Sequence, residues 1–589
     1  MIINTSKALS YSWMSQASYL DLISVIPDVA NSLQDSLQAS ALNDGKIFSA
    51  QQAKIFTDSA TGYSFINQLP NTTNGTSATV FKSNVDGSYT LAVRGTEPGA
   101  QLGTDLLEDA IGVVSAGKAK VQLIEAFRYY KQLTTPAGQA VSYSNTEVHA
   151  IAQVLMSGTA LTGSLENLAA AKTAFAAMIA DDKGLGQIPA GATINFAGHS
   201  LGGHVAYLLA SLVNQTAGAG HPVGDVMTYN APGENALIYE LQNWLGIDTS
   251  TQAGAIGGKH LAFYGEGGLN VTAGLGQVIG TRVPLFIEDS GAVDGNIAME
   301  NHSIVKLSDA LALYDTFNKL SPALSQRALE NILKGASNDP LKSLEATLDA
   351  LRTLLQDGTI GADAAKQTKA GDREDFYDKL YELQASSGYT GLKGSAAITA
   401  LNEQGNSNLA SQGKSDFGTF LALNYLLPFA ITHAGSTLNE LHKNTYEAWR
   451  ADQSLTPEQR AAGAANYSDQ WYADRAAMLA YVMQANTEDA TGALSVAGAQ
   501  GMHYQDQGSG QQIDIGLPDD TVAKRQTVFG DGQNNTLEGK KLDDHLYGGA
   551  GSIKHVTAGS SCLRQRFYRF GGSISLNSIK TITYNAATC

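Results

Sequence analysis

Residues 192–204, ATINFAGHSLGGH, join a short apolar run to a glycine-rich turn that contains Ser200. The apolar run is typical of a strand buried on both faces, and residues 201–214 have the length and composition of a helix. A serine at the tip of such a turn leaves room only for very small residues two positions before and two after it. Gly198 and Gly202 occupy those positions. The segment therefore predicts a nucleophile elbow with Ser200 as the nucleophile.

The sequence around the turn carries this prediction, because G-x-S-x-G alone is expected about once by chance in a chain this rich in glycine and serine. A helix that starts just after Ser200 directs its N-terminal amides and the positive end of its dipole at the serine. The backbone amide of Leu201 is therefore a candidate donor to an oxyanion. Thr96 is the second candidate, because it ends the strand predicted in residues 89–96, and such hydrolases take one amide from a loop after an early strand.

Composition limits the class of protein. With 43% apolar and 16% charged residues the chain is typical of a soluble globular protein, and its length allows about two to four domains. A formal net charge of -17 disfavours nucleic acid and anionic membrane surfaces as main partners, and it suits a protein that meets calcium. The N-terminus lacks the features of a signal peptide, so we expect a chain that is cytoplasmic or exported by another route.

The first 320 residues alternate between helical and strand-like runs. Residues 99–182 look mainly helical, and four short apolar runs read as strands: residues 78–82, 89–96, 224–233 and 260–268. The first two are joined by a turn at Asp86-Gly87. Helix, then strand, then elbow is the order of an α/β fold, in which the strand ends collect the polar residues of a site.

Chain order narrows the choice of a catalytic base. If the order is Ser, acid, His, as in α/β-hydrolases, the base must follow the acid. Of the 11 histidines, only His302 lies after Glu266 and before the helical region begins. His204 is the rival, because it lies four residues after Ser200 on the same predicted helix. We favour a structural role for His204, in the wall beneath the elbow.

Glu266 is the candidate acid, because it lies at the end of the strand predicted in residues 260–268. A carboxylate there would hold the imidazole in the tautomer that accepts the serine proton, and would then stabilise the imidazolium. The alternatives for this role are Asp289, Asp294 and Asp248.

Residues 321–486 are predicted to be mainly helical. Asp339 is predicted to cap a helix that starts at Pro340 and ends before Gly358. One face of this helix is apolar and carries Leu341, Leu344, Leu348, Leu351 and Leu355. The sequence Thr456-Pro-Glu-Gln predicts the start of another helix.

A nine-residue repeat follows near the C-terminus. It reads FGDGQNNTL in residues 529–537, EGKKLDDHL in residues 538–546 and YGGAG in residues 547–551. Glycines permit tight turns, Asp and Asn oxygens hold calcium, and each apolar ninth residue points inward, which is the pattern of a parallel β-roll. The predicted calcium ligands are Asp531, Asn534 and Asp543.

The repeat pattern stops after Gly551. The last 38 residues contain five Lys/Arg, no Asp/Glu and both cysteines, Cys562 and Cys589. We interpret this tail as foreign to the repeat, as a frameshift or a fusion would make it. Because a roll needs about three or more turns to be stable, we expect few and weakly held calcium ions.

Three motifs together resemble those of bacterial extracellular lipases that carry calcium-binding nonapeptide repeats, within the class 3 lipase and phospholipase A1 group: Arg94-Gly95-Thr96, Gly198-His-Ser-Leu-Gly-Gly203 and Asn301-His302-Ser303. The resemblance implies a triad of serine, acid and histidine, and these roles carry over to Ser200, Glu266 and His302. In that family the acid is usually an aspartate in an Asp-Pro-Val-like setting, whereas this chain has Glu266-Gly-Gly-Leu. The departure concerns the acid alone.

The predicted fold class is α/β, with an α/β-hydrolase domain in residues 1–320, a mainly helical region in 321–505, the start of a parallel β-roll in 506–551 and a basic tail in 552–589. The predicted activity is that of a secreted carboxylic ester hydrolase without an N-terminal signal peptide. It would cleave acyl esters of lipids at an oil–water or membrane interface, as a triacylglycerol lipase. Phospholipase A1 is the nearest alternative, and a non-catalytic, calcium-dependent interaction protein is the alternative from another class.

Overall fold

The structure is a computed structural model, and it describes the following residues: 3–25, 32–39, 41–42, 45–95, 118–156, 165–216, 220–234, 245, 256–266, 276–288, 301–496, 501–516, 523–531, 535–540, 542, 544–548, 553–558, 566–568 and 582–584. Several predicted site residues lie outside these ranges: Thr96, Asp248, Asp289, Asp294, Asn534 and Asp543. The two cysteines, Cys562 and Cys589, also lie outside them.

The chain divides into two compact units, Ile3–Asp315 and Thr316–Cys589. The helices of the first unit are α1 Thr5–Ala17, α2 Ser32–Ala39, α3 Ala50–Phe56, α4 Lys118–Thr134, α5 Asn145–Met156, α6 Leu165–Met178, α7 Leu201–Thr216 and α8 Ile304–Leu320, which runs past the boundary. Its strands are β1 Ala41–Leu42, β2 Gly45–Lys46, β3 Tyr63–Leu69, β4 Ala78–Ser83, β5 Tyr89–Val93, β6 Ile194–His199, β7 Val223–Tyr229, β8 His260–Glu266 and β9 Thr281–Phe286.

A seven-stranded sheet in the order β3-β4-β5-β6-β7-β8-β9 organises the first unit. Strands β3, β4 and β5 are antiparallel neighbours, whereas β5 to β9 pair in parallel. All six residues of β6 are buried, as expected for a central strand covered on both faces. Parallel strands need long crossovers, and α4 to α7 lie in the connections that flank β6. The predicted α/β class is confirmed.

Local sequence signals located the centre of this sheet better than its edges. The predicted hairpin is confirmed, because β4 and β5 pair antiparallel and Gly87 in the turn has a φ of 70°. The edge strands β3 and β9 were not predicted. Each contains few fully buried residues, so neither shows the apolar run that marked the central strands.

The second unit begins with helices. They are α9 Gln326–Ala336, α10 Ser343–Leu355, α11 Arg373–Ala385, α12 Ser387–Leu392, α13 Asn406–Ser415, α14 Phe417–Tyr425, α15 Thr437–Leu441, α16 Lys443–Asp452, α17 Pro457–Ala461 and α18 Asp469–Thr487. A short 3₁₀ helix, Ile360–Ala362, and a hairpin of β10 Ala397–Ala400 and β11 Phe429–Thr432 lie among them. In the part of the chain that the structure describes, no helix has the length and hydropathy to cross a membrane.

Two helix starts tested the capping predictions. Thr456 caps α17 through a reciprocal capping box with Gln459, and Pro457 takes the first position, as predicted. The start predicted at Pro340 is wrong, because α10 begins at Ser343. The Asp339 carboxylate instead accepts the Leu341 amide at 3.0 Å, which closes a local turn in place of a helix cap. Leu341 is accordingly exposed, whereas the other leucines of the predicted apolar face are buried.

The C-terminal strands form two sheets, and the strands from residue 525 onward alternate between them. These strands are β12 Met502–Asp506, β13 Gln512–Ile515, β14 Arg525–Phe529, β15 Asn535–Glu538, β16 His545–Tyr547, β17 Ile553–Ala558, β18 Arg566–Tyr568 and β19 Ile582–Tyr584. One sheet has the order β13-β12-β14-β16-β18, and the other has the order β15-β17-β19. All neighbours pair in parallel except β12 and β13. The alternation continues past Gly551, where the repeat in the sequence stops. A calcium-binding β-roll stays a prediction.

A buried ion pair joins α18 to this region. Arg475 Nη1 lies 2.9 Å from Asp506 Oδ1, and both side chains are less than a tenth exposed. The guanidinium also donates to the backbone oxygens of Leu423 and Asn424, and it lies 4.7 Å from the ring centre of Phe529. One buried guanidinium therefore contacts a helix end, a strand end and an aromatic ring within the second unit.

We expect Arg475→Met to lower the free energy of unfolding of the second unit by about 3–5 kcal/mol, because the Asp506 carboxylate would stay buried without its cation. Urea denaturation of the full chain measures this loss. Arg327→Met is the matched control, because Arg327 pairs with Glu403 in solvent, with side-chain exposures of 83% and 60%. An Arg475→Met variant as stable as this control would contradict the prediction.

Candidate active site

Ser200 occupies the turn between β6 and α7, and its backbone is strained. Its φ is 56°, in the left-handed region that residues other than glycine seldom adopt. The Ser200 amide donates to the backbone oxygen of Tyr229 at the end of β7, at 2.9 Å. The predicted nucleophile is half-buried. Its strained conformation is thus held by a hydrogen bond to the neighbouring strand.

The two glycines of the motif leave no space for a side chain. A Cβ on Gly198 would lie 2.5 Å from the backbone oxygen of Gly202. A Cβ on Gly202 would lie 2.3 Å from the backbone oxygen of Val93, at the end of β5. Because these contacts are with backbone atoms, no side-chain movement could relieve them. The steric reasoning from the sequence therefore holds at both positions.

The end of β5 lies against the elbow. A Cβ on Gly95 would lie 3.1 Å from Ser200 Cβ and 2.6 Å from the backbone oxygen of His199. The candidate oxyanion donor Thr96 follows Gly95 directly and is outside the described residues. The other candidate, Leu201, is the first residue of α7 and is buried. The assignment of both backbone amides to an oxyanion hole stays a prediction.

His302 lies two residues before α8 and is buried beside the elbow. The centre of its ring is 4.7 Å from the centre of the His199 ring. Its backbone oxygen accepts from His199 Nε2 at 2.7 Å and from Asn230 Nδ2 at 3.1 Å. The structure thus brings the predicted base to the residue that precedes Ser200, although about a hundred residues separate them in the chain.

Burial keeps these two imidazoles neutral. A backbone oxygen can only accept, so His199 Nε2 carries a proton and its Nδ1 accepts from the Tyr19 hydroxyl at 2.8 Å. Burial lowers the pKa of His199 to about 4. Burial, followed by the neighbouring His199, holds the pKa of His302 well below 6.5. At neutral pH the imidazole of His302 is therefore in the form that can accept a proton.

Glu266, the candidate acid, is the last residue of β8 and is half-buried. The Gly265 amide before it donates to Asn230 Oδ1 at 3.0 Å. Asn230 in turn donates to the backbone oxygen of His302, so one buried side chain connects the two chain segments. The choice of Glu266 over the three aspartates stays a prediction, because those aspartates lie outside the described residues.

Three residues of this site were not predicted from the sequence: Tyr19, His199 and Asn230. Asn230 follows β7 in the sequence TYNAPG, and its φ of 45° is one that asparagine tolerates better than most residues. A polar residue at the end of a predicted parallel strand was a usable signal for it. Tyr19 gave no such signal, because it reaches the site from the end of α1.

Two more histidines are buried in the first unit. His204, on α7, lies with Nδ1 3.3 Å from the backbone oxygen of Pro232, and burial lowers its pKa to about 4. His260, on β8, contacts the Ile279 backbone oxygen at 2.7 Å and the Thr228 hydroxyl at 2.9 Å. Burial lowers the pKa of His260 to about 4 as well. Both imidazoles are neutral parts of the protein interior at neutral pH.

The predicted calcium ligands are only partly described. Asp531 is half-buried and lies beside Gly508, whose Cβ position would be 3.6 Å from Asp531 Cβ. Asp544 adjoins the predicted ligand Asp543, and its carboxylate accepts the backbone amides of Gln526 and Lys540 at 2.8 and 2.6 Å. Within the described ranges, no group of three or more His, Cys, Asp or Glu could hold a metal ion.

No family model matches the chain, and no curated protein matches it. The solved structures that it matches include Lip2 lipase from Yarrowia lipolytica, at 16% identity over 50% of this chain and 84% of that one, with a TM-score of 0.23. The nonglycosylated form of Y. lipolytica LIP2 lipase is 13% identical over 48% and 79%, with a TM-score of 0.22. M37 lipase is 14% identical over 44% and 67%, with a TM-score of 0.20. Likeness at this level supports no inference.

We expect the free energy of unfolding to fall as the pH falls from about 6.5 to 4, because unfolded histidine binds protons in this range and the buried imidazoles do not. Each such histidine adds a slope of up to about 1.4 kcal/mol per pH unit. His260→Gln removes one of these contributions, so the free energy of unfolding of this variant should fall less steeply with pH than that of the unaltered chain. Urea denaturation across this pH range measures it.

Ser211→Ala is the control for this measurement. Ser211 is buried on α7 and its hydroxyl does not titrate in this pH range, so its replacement should leave the pH slope unchanged. Equal slopes for the His260→Gln variant and the unaltered chain would contradict the prediction.

Proposed function

We propose that this protein is a serine hydrolase that cleaves acyl esters of lipids through an acyl-enzyme on Ser200. One observation carries the proposal: Ser200 has a left-handed backbone at a strand-to-helix turn, and the positions two before and two after it have no room for a residue larger than glycine. The neutral, buried imidazole of His302 lies against the preceding residue, His199, and supports the same reading.

The proposed reaction has two half-reactions. In the first, Ser200 Oγ attacks the acyl carbonyl while His302 accepts the serine proton, and His302 then returns that proton to the departing alcohol. In the second, His302 takes a proton from water, the water attacks the acyl-enzyme, and the proton returns to Ser200 Oγ. The fatty acid leaves, and the site is restored.

Each step of the proposed reaction develops a negative charge on the acyl oxygen and a positive charge on His302, and both need groups that stabilise them. We assign the oxyanion to the backbone amides of Leu201 and Thr96, one at the start of α7 and the other after the end of β5. The dipole of α7 favours negative charge at its first residue. We assign Glu266 to orient His302 and to stabilise its imidazolium, with Asp289, Asp294 and Asp248 as alternatives.

The substrate class and location are also proposals. We propose a triacylglycerol at an oil–water or membrane interface, with phospholipid as the nearest alternative, and secretion of the protein. Calcium would be structural and confined to the repeat, where Asp531, Asn534 and Asp543 would hold it. The nine-residue period and the alternation of parallel strands between two sheets support a β-roll there. No step of the reaction requires the ion.

We expect Ser200→Ala to lower the turnover of a chromogenic acyl ester by at least about a thousandfold, because the nucleophile is lost while the fold is kept. Steady-state kinetics measure the loss. Ser211→Ala is the matched control, since Ser211 is buried on α7, the helix that follows Ser200, and its hydroxyl donates to the Tyr207 backbone oxygen of that helix at 2.9 Å.

The same variants assayed on triacylglycerol emulsions and phosphatidylcholine vesicles, with and without calcium, identify the substrate. Faster phospholipid cleavage would make the protein a phospholipase A1. Turnover that is undiminished in Ser200→Ala would refute the mechanism. Calcium-dependent binding to either surface without any hydrolysis would favour the non-catalytic alternative.

We expect Glu266→Gln to lower kcat by about ten-thousandfold if Glu266 is the acid, because the neutral amide neither fixes the useful tautomer nor stabilises the imidazolium. Asp289→Asn, Asp294→Asn and Asp248→Asn, assayed in parallel, are the controls. The variant with the large loss identifies the acid. A Glu266→Gln variant with full activity would transfer the role to one of the aspartates.

A further inference from the structure

The backbone oxygen of His302 accepts hydrogen bonds from two buried side chains at adjacent strand ends. His199 Nε2 donates to it at 2.7 Å, and Asn230 Nδ2 donates to it at 3.1 Å. His199 and Asn230 are 6% and 0% exposed, so water does not compete for these bonds. His199 directly precedes Ser200. His302, whose backbone oxygen accepts both bonds, is the residue proposed as the base.

Asn230 is hydrogen-bonded through its backbone amide and through both the nitrogen and the oxygen of its side-chain amide. Its backbone amide donates to the Phe263 oxygen at 2.8 Å, and its Oδ1 accepts the Gly265 amide at 3.0 Å. The side-chain amide cannot turn over, because its nitrogen must face a backbone oxygen and its oxygen must face an N–H group. Its φ of 45° is left-handed, and its side chain bonds to the end of β8 and to His302. Such buried strain is kept where the surroundings over-determine it.

We propose that Asn230 is a positioning residue for the proposed hydrolysis, holding the main chain of His302 against the strand ends that carry Ser200 and Glu266. The inference rests on the proposed function. Two bonds to one backbone oxygen fix the peptide plane after His302, and α8 begins two residues later. With that plane fixed, the Cα of His302 is held in place, and rotation about its Cα–C bond is what remains to set the direction of the Cα–Cβ bond. The proposed proton acceptor therefore has fewer backbone conformations to search.

Asn230→Asp tests the inference with little change in shape. The carboxylate still accepts the Gly265 amide, and aspartate tolerates a left-handed backbone. Its second oxygen replaces the donor and repels the His302 oxygen. Because a small misplacement of a catalytic group is costly, we expect kcat to fall by about 10- to 100-fold while KM changes by less than about twofold.

Asn195→Asp is the matched control. Asn195 lies on β6 in the same sheet, is 5% exposed, and its Oδ1 accepts the Asp225 amide at 2.9 Å. The same chemical change there should leave kcat unaltered. If Asn230→Asp fails to fold, Asn230→Gly replaces it, because glycine accepts the φ of this position and removes both side-chain bonds. The same loss of kcat is expected.

A second pair of variants separates positioning from general destabilisation. His302→Ala keeps the backbone oxygen and removes the imidazole. If Asn230 acts through that imidazole, adding Asn230→Asp to His302→Ala lowers the residual kcat no further. A further loss equal to that in the unaltered background would overturn the inference, because a merely structural role would produce it.

The outcomes also separate the inference from the proposed function. Full turnover in His302→Ala would overturn the proposed function and the inference with it. Loss of turnover in His302→Ala, together with unaltered kcat in Asn230→Asp, would overturn the inference alone. Loss of kcat in Asn230→Asp and Asn195→Asp alike would also overturn it, because any buried charge in the sheet would then have the same effect.

Discussion

The left-handed backbone of Ser200 depends on the close approach of three strand ends. The end of β5 leaves no room for a side chain on Gly202, the turn itself leaves none on Gly198, and the end of β7 accepts the Ser200 amide. A strained conformation of this kind costs of the order of 1–3 kcal/mol and persists only where its surroundings over-determine it. The parallel pairing of β5, β6 and β7 supplies those surroundings. The elbow is therefore a property of the sheet as much as of its five-residue motif.

The same burial that builds the site also determines its protonation. His199 and His302 lie in contact inside the protein, and burial is the first cause of the lowered pKa of each. A neutral His302 can accept a proton, and a neutral His199 can donate from Nε2 while it accepts at Nδ1. Protonation of either ring would place a charge beside the other. Proton acceptance by His302 and stability toward acid are thus linked through one buried pair.

The parts of the site that local sequence determines could be predicted, and the parts that long-range contacts determine could not. The glycines around Ser200 and the turn at Gly87 are local steric requirements, so the elbow and the hairpin were visible in the sequence. Asn230 acquires its role only when β8 and His302 arrive from later in the chain. The edge strands β3 and β9 carry little apolar signal. The prediction that a helix starts at Pro340 was wrong, because the Asp339 carboxylate accepts the Leu341 amide in a local turn instead.

The nine-residue period of the C-terminal repeat locates turns in the chain, but it does not show what the carboxylates near those turns bind. The sequence pattern identified residues 538–546 as one repeat, and within its described residues the Asp544 carboxylate is buried and accepts two backbone amides. Each oxygen that accepts an amide has less capacity left for an ion. Earlier in the chain, at the end of β12, Asp506 pairs with Arg475, a cation that the protein itself supplies. Among the described residues, the carboxylates of Asp506 and Asp544 are therefore both held by groups of the protein itself.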